Sequence, residues 1–545
     1  MKKIILGNIV TVEEDNKYEE AIVVDNGIIE YVGSKEEALK RKDNGTEIID
    51  YGNNFIYPGF IESHCHGFFA GYRSLGQIDL TNCVDGYNSY GSVIKGYIEK
   101  HPGKDCYIAY GWNEIFGEVD HVFLDEIYDK APLVLNTAGG HSCVLNKVGM
   151  EKYHINEELV NRLGSTLVHT YSDGKPTGYI CEEAAVDLLN SIEVKFEDAK
   201  EYILEWQRIA LSKGFTACAD AGVELMYDKT NEVYYELEKE NKLKLRTFSF
   251  SIVNDNEANA KEAIEKINNI KNKYDGEYFK TIGAKVFLDG VGEARTSWTV
   301  NEYKDEKAYY GLKRFSNEER MINLLNEASK HNLSVHAHSE GDGATRFILD
   351  CIKKSQAITK DYDQRNLIAH LHFVQKEDFK NMFITNSIPL VAPLWTPAFP
   401  GVVEKETVVF GKDMADNTYP IKSFLDEGCR ICFHSDYPIS PILDVSRSIY
   451  MAETRRLLDK EEKILDLSDT SHNINEKISR LDALKAMTIN GAYAFKQDHR
   501  MGSIKVGKLA NFTVLNRDLV NDMLPYIIDT KIIATIIDGE IVYKA

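Results

Sequence analysis

The stretch GFIESHCHG (residues 59–67) reads as a short β-strand ending in two histidines, and the rest of the chain falls into order around it. Successive side chains of a strand point to opposite faces, so His64 and His66 share a face while Cys65 points away. Two imidazoles so placed can hold one metal ion, although the same spacing also describes two ordinary strand histidines. Seven further apolar runs follow, bounded by turns or by helical periodicity: GFTACADAG (214–222), KLRTFSFSIV (244–253), TIGAKVFLDG (281–290), LSVHAHSEGD (333–342), LIAHLHF (367–373), SIPLVAPL (387–394) and RICFHSD (430–436). Helical spacing of apolar residues recurs between them, as over 257–274, 317–331 and 346–360. Eight strands with helical crossovers predict an α/β fold of the (β/α)8 TIM-barrel type, assigned to 58–496.

PLVLNTAGG (132–140) is a ninth apolar run, and the distance from His66 to Gly214 far exceeds one crossover. Residues 70–195 are therefore expected to be an insertion capping the barrel mouth. The first 57 residues alternate β-rich runs with turns such as Asp25-Asn26-Gly27, and GSIKVGKLANFTVLNR and KIIATIIDGEIVYKA look alike at the other end. Segments 1–57 and 497–545 are expected to join as one small β-sandwich domain, since chain termini often lie close together.

Length and composition exclude several classes. At 545 residues, with 43% apolar and 27% charged residues, the chain can bury a sizeable core. Its formal charge of −21 repels nucleic-acid backbones and anionic membrane surfaces, so neither is an expected partner. Nine scattered cysteines without paired CxxC motifs suit a reduced, cytoplasmic protein. MKKIILGNIVTVEED opens like a signal peptide, but Asn8 and the acidic residues 13–15 favour a strand.

Of 15 histidines, seven lie in four short segments: His64 and His66, His336 and His338, His370 and His372, and His434 beside Asp436. Core packing does not require that, whereas catalytic residues of a barrel come from the C-terminal ends of several strands. His338 leads directly into SEGDG and is favoured over His336, which suits either a supporting place behind the ligands or the barrel interior; between His370 and His372 the spacing leaves the choice open, with His370 preferred. Asp436 is the carboxylate of its strand end, suited to be both ligand and proton acceptor. Lys285 sits in an apolar strand where a lone ammonium is costly to bury. It either pairs with Asp289, four residues on, or adds CO2 to become a carbamate that bridges two metals.

GFIESHCHG, FLDG, HSEGD, the strand ending in His370, HSDYP and GSIKVGKLANFTVL together resemble the amidohydrolase superfamily. GGHSCVLN, DGKPTGYICEEA and FLDGVGEARTSW narrow the resemblance to its amidohydrolase family 3 branch. The resemblance implies a metal-dependent hydrolase whose ligands are His64, His66, carboxylated Lys285, His338, His370 and Asp436. Ala369, His372 and Asn511 depart from the usual Glu, Gln and Asp, and the first two concern the pocket lining.

A metal lowers the pKa of bound water from about 15.7 toward ~7 and polarises a carbonyl, and Asp436 would carry the proton to the leaving nitrogen. Imidazole plus carboxylate suits two zinc ions, with manganese, iron or cobalt as alternatives. His141 of GGHSCVLN is expected to bind the substrate carbonyl, its alternative being a structural histidine. Trp112, Trp298, Trp395, Phe399 and Tyr437 favour an apolar or aromatic substrate portion. The expected function is hydrolysis of an amide-like C–N bond in a small molecule, by the chain alone or as a homodimer. Its rivals are a mononuclear deaminase and a metal-free barrel that only binds.

Overall fold

The computed structural model describes residues 2–13, 17–83, 87–112, 119–137, 142–181, 183–225, 227–254, 259–292, 294–399, 401–458 and 471–545. The chain divides into two compact units, Met1–Gly67 with Gln207–Ala545, and Phe68–Trp206.

In the first unit, eight strands stand side by side in chain order: Phe60–Cys65, Phe215–Ala221, Arg246–Ile252, Phe279–Phe287, Ser334–Ser339, Leu367–His370, Ile388–Val391 and Cys432–Phe433. All seven ladders are parallel, which agrees with the apolar runs and the (β/α)8 expectation. The crossover helices bury one stripe. In Glu318–Lys330, Met321, Leu324, Leu325 and Ala328 recur at helical spacing and are buried, and the Asn317 side chain caps the helix by accepting from Arg320 N.

The barrel interior alternates small and large residues: Ala217, Ala219 and Ala369 face Phe248, Phe250, Leu367 and Leu390 in one buried cluster. Phe495, beyond the helix Ile489–Ala494, joins the same cluster with its ring 4.9 Å from that of Phe248. Close packing of this kind resists truncation, a buried Phe→Ala typically costing about 3–5 kcal/mol.

The eighth strand is only two residues long and ladders with the seventh. Its seam with the first strand is held by Glu62, whose Oε1 accepts from the backbone N–H of His64 (3.2 Å) and of Ser435 (3.0 Å). Two backbone bonds continue the seam, from Asp436 N to His64 O at 3.1 Å and from His66 N to Tyr437 O at 2.9 Å.

Both ends of the chain enter one seven-stranded sheet, in the order Glu540–Lys544, Ile532–Ile537, Phe512–Leu515, Glu47–Pro58, Lys3–Val10, Tyr18–Asp25 and Ile28–Gly33. Phe512 pairs with Pro58 and Leu515 with Phe55, antiparallel, which is where the two ends of the chain meet. Gly59 then passes the chain into the first barrel strand, and only glycine fits there, since a Cβ would lie 2.2 Å from Thr216 Oγ1.

The second unit carries a six-stranded sheet, in the order Val168–Thr170, Pro176–Cys181, Ser142–Leu145, Leu133–Thr137, Tyr107–Trp112 and Gln77–Asp79. The ninth apolar run therefore belongs here, Leu133–Thr137 pairing parallel with Tyr107–Trp112. Trp112 is buried in this unit's own core with Leu133, Leu135 and Val144. No helix among the described residues is long and apolar enough to cross a membrane.

Candidate metal centre

Each strand end delivers its residue for a local reason. His64 and His66 end the first strand, whose backbone is held to the eighth by Glu62. Lys285 lies opposite His336, and Phe287 opposite His338, in the ladder between the fourth and fifth strands. His370 and Leu371 have φ of 81° and 53°, and Asp436 has φ of 57°. Non-glycine residues reach that left-handed region at a cost of about 1–3 kcal/mol each, and such strain gathers at functional sites.

His64, His370 and Asp436 come together, their donor atoms lying within 4.8 Å of one another. Asp436 Oδ1 stands 3.1 Å from His64 Nε2 and 3.3 Å from His66 Nε2, outside hydrogen-bond geometry for that oxygen. Around this cluster the His370 ring lies 4.5 Å from that of His338 and 5.0 Å from that of His64. Trp395 stacks on His370 at 5.6 Å. Trp298 contributes its backbone N–H to Asp289, and Phe399 is partly exposed. His141 lies outside the described residues.

The neighbouring pairs separate clearly. His336 Nε2 is 2.8 Å from His64 Nδ1, so His336 orients His64. His338 Nδ1 lies 2.9 Å from Asp289 Oδ1, which leaves Nε2 of His338 to face other partners. His372 is set apart from His370. Its Nδ1 lies 3.1 Å from Glu340 and its Nε2 3.1 Å from Glu406, and it is stacked between Phe373 (4.0 Å) and Tyr419 (4.4 Å). Burial alone would lower the His372 pKa, but the two carboxylates push it up to about 9.

Lys285 does not pair with Asp289. The Asp289 carboxylate is filled by His338 and by the backbone N–H groups of Trp298, Glu340 and Gly341, at 2.8–3.1 Å. Lys285 Nζ is buried without a hydrogen-bond partner among the described residues, and burial lowers its pKa to about 7. The same desolvation holds His64, His336 and His370 well below the ordinary imidazole value, so their lone pairs are free of protons. Asp436 goes the other way: against the upward push of burial, the neighbouring His66, His370 and His434 rings hold it well below the usual carboxylate range.

These residues fit a divalent metal. Nδ1 of His66, His336 and His370, Nζ of Lys285 and Oδ1 of Asp436 are buried with no hydrogen-bond partner among the described residues, and leaving such groups unsatisfied costs roughly 1–3 kcal/mol each. Neutral imidazoles and an ionised carboxylate are the donor set of zinc and of its first-row neighbours.

Sequence reasoning missed three supporting carboxylates, Glu62, Glu340 and Glu406. For Glu62 a signal existed, since it lies two residues before His64 in an otherwise apolar run. The role of Asp289 was also legible in principle, because Phe287 and His338 are partners in register and Asp289 leaves its strand just beyond.

Known proteins resemble the chain along nearly its whole length. The chain is 25% identical over 560 residues to the putative amidohydrolase YtcJ of Bacillus subtilis, covering 99% of this chain and 98% of that protein. It is 24% identical over 577 residues to an N-substituted formamide deformylase of Arthrobacter pascens, covering 99% and 98%. A solved structure described as an uncharacterized metal-dependent hydrolase from Pyrococcus horikoshii superposes with a TM-score of 0.77 at 21% identity, covering 96% of this chain and 99% of that one. The sequence model of the amidohydrolase family matches residues 47–543. Because that match runs from the strand leading into the barrel to the last strand of the terminal sheet, the chain belongs to the amidohydrolase family.

Proposed function

We propose that the protein hydrolyses an amide-type C–N bond of a small molecule, using two divalent ions held by His64, His66, carboxylated Lys285, His338, His370 and Asp436. The convergence of His64, His370 and Asp436 beside a buried, unpartnered Lys285 carries this reading. Carboxylation needs only CO2: the amine nitrogen attacks carbon, an N–C bond forms and a proton leaves, turning a cation that would repel metals into an anionic ligand. Bound zinc, or manganese, iron or cobalt in its place, supplies a hydroxide-strength nucleophile at neutral pH and polarises the scissile carbonyl.

Asp436 accepts the proton of the attacking water and delivers it to the leaving nitrogen, whose expulsion needs a general acid. Trp395, stacked beside His370, suits an apolar or aromatic substituent. His141, read from GGHSCVLN alone, is assigned to the substrate carbonyl. The name of the Arthrobacter pascens relative supports N-substituted formamides as the first compounds to try. None of the nine cysteines forms a disulfide, which supports a reducing, cytoplasmic setting.

The test is elemental analysis of protein purified without added metal, together with amine release from N-substituted formamides and N-acyl amines. Two equivalents of metal, a carbamate signal at Lys285 after 13C-bicarbonate labelling, and amine release are expected. One metal with ammonia released from aminated heterocycles would make the protein a deaminase. Absence of both metal and turnover would leave a binding protein.

A further inference from the structure

His434 ends the eighth strand two residues before Asp436, and it has no part in the ligand set above. The residue is buried, yet neither of its ring nitrogens makes a hydrogen bond to any described residue. A neutral imidazole carries one N–H donor and one lone pair, and a leucine or phenylalanine would fill the same space without burying either unsatisfied. An electrophile or donor is therefore missing from its surroundings.

Its neighbours identify the kind. The His434 ring centre lies 5.2 Å from that of His64 and 5.2 Å from that of His370. Those two rings are 5.0 Å apart, and the His64 and His66 rings are 5.4 Å apart. His434 thus stands as close to two members of the donor cluster as they stand to each other. On another side Trp395 meets it edge-on at 5.7 Å, an apolar wall that offers no acceptor for a ring N–H.

We propose that His434 is a further ligand of the metal centre, donating a ring nitrogen to the ion held by His64, His370 and Asp436. This rests on the metal-dependent reading of the site. The nitrogens of His434 fall outside the group whose donor atoms already lie within 4.8 Å of one another, so ligation requires the ring to turn, and no hydrogen bond resists that turn. An added neutral imidazole raises the coordination number without changing charge. It therefore favours an ion that accepts five or six ligands over closed tetrahedral zinc.

Full-length protein is loaded with Co(II), and the exchangeable, paramagnetically shifted ring N–H resonances of ligating histidines are counted in wild type, His434→Ala and His434→Phe. Both variants are expected to lose one such resonance and to bind Co(II) and Zn(II) roughly 10- to 100-fold more weakly in chelator competition. The metal-free melting temperature should stay near that of wild type. A diffraction structure of metal-loaded wild type guards against variants that fail to fold: a His434 nitrogen about 2.0–2.3 Å from an ion supports the proposal, and one beyond roughly 3 Å overturns it. Variants that keep every shifted resonance and full affinity overturn it as well, while the metal centre stands. Wild type that binds no divalent ion removes the metal reading of the whole site.

Discussion

Asp289 shows how much of a metal centre depends on residues that touch no metal. Its carboxylate takes His338 Nδ1 and three backbone N–H groups, which fixes the imidazole's tautomer and turns Nε2 away from the carboxylate. Asp289→Asn should keep the shape, lose the charge that favours the Nδ1 proton, and weaken metal binding about 10- to 100-fold. Chelator competition measures this, and unchanged affinity would show that His338 needs no such support. Asp436 lends itself to the complementary experiment. Asp436→Asn keeps a coordinating oxygen and loses the proton acceptor, so kcat should fall by roughly 10²–10⁴ with metal content retained. Near-normal turnover in metal-loaded protein would remove Asp436 from proton transfer.

At the scale of elements, the weak point of the barrel is the seam between a six-residue first strand and a two-residue eighth strand. Glu62 bridges it, and burial pushes its pKa up to about 8. Glu62→Ala orphans the N–H groups of His64 and Ser435, at roughly 1–3 kcal/mol each, whereas Glu62→Gln retains an acceptor oxygen. Urea denaturation should therefore show a loss of about 2–5 kcal/mol for Ala and clearly less for Gln. Equal losses would mean that the charge matters and the bridge does not. The strands themselves were legible because parallel barrel strands are buried on both faces and read as continuous apolar runs. Their partners were not. Spacing says which residues share a face, so His370 and His372 looked interchangeable, but the carboxylate that separates them, Glu406, comes from the helix Val402–Phe410, far along the chain. Lys285 likewise looked paired with Asp289 because four residues separate them, until the cross-strand neighbour His338 took that carboxylate.

For the unit that holds the centre, the sheet made from both chain ends is bonded to the barrel at several places. Thr513 Oγ1 donates to Gly214 O at 2.6 Å, and Thr535 Oγ1 to Leu211 O at 2.7 Å. Arg246, which starts the third barrel strand and is 2% exposed, places Nη2 2.8 Å from both carboxylate oxygens of Asp538. The β-rich look of both ends was visible in the sequence, but this ion pair spans 292 positions and no local pattern announces it. A buried guanidinium that loses its main counter-ion is a large liability, and without Asp538 only Glu277, 3.4 Å from Nη2 and half exposed, remains to Arg246. Asp538→Ala should thus destabilise the unit by up to about 3–5 kcal/mol. Replacing both partners, as Arg246→Met with Asp538→Ala, removes the stranded charge and should recover much of that loss. Urea denaturation of the two single variants and the double variant closes the cycle. If the double variant loses the sum of the two single losses, the pair is not coupled, and the sheet is held to the barrel by its hydroxyl bonds and apolar contacts alone.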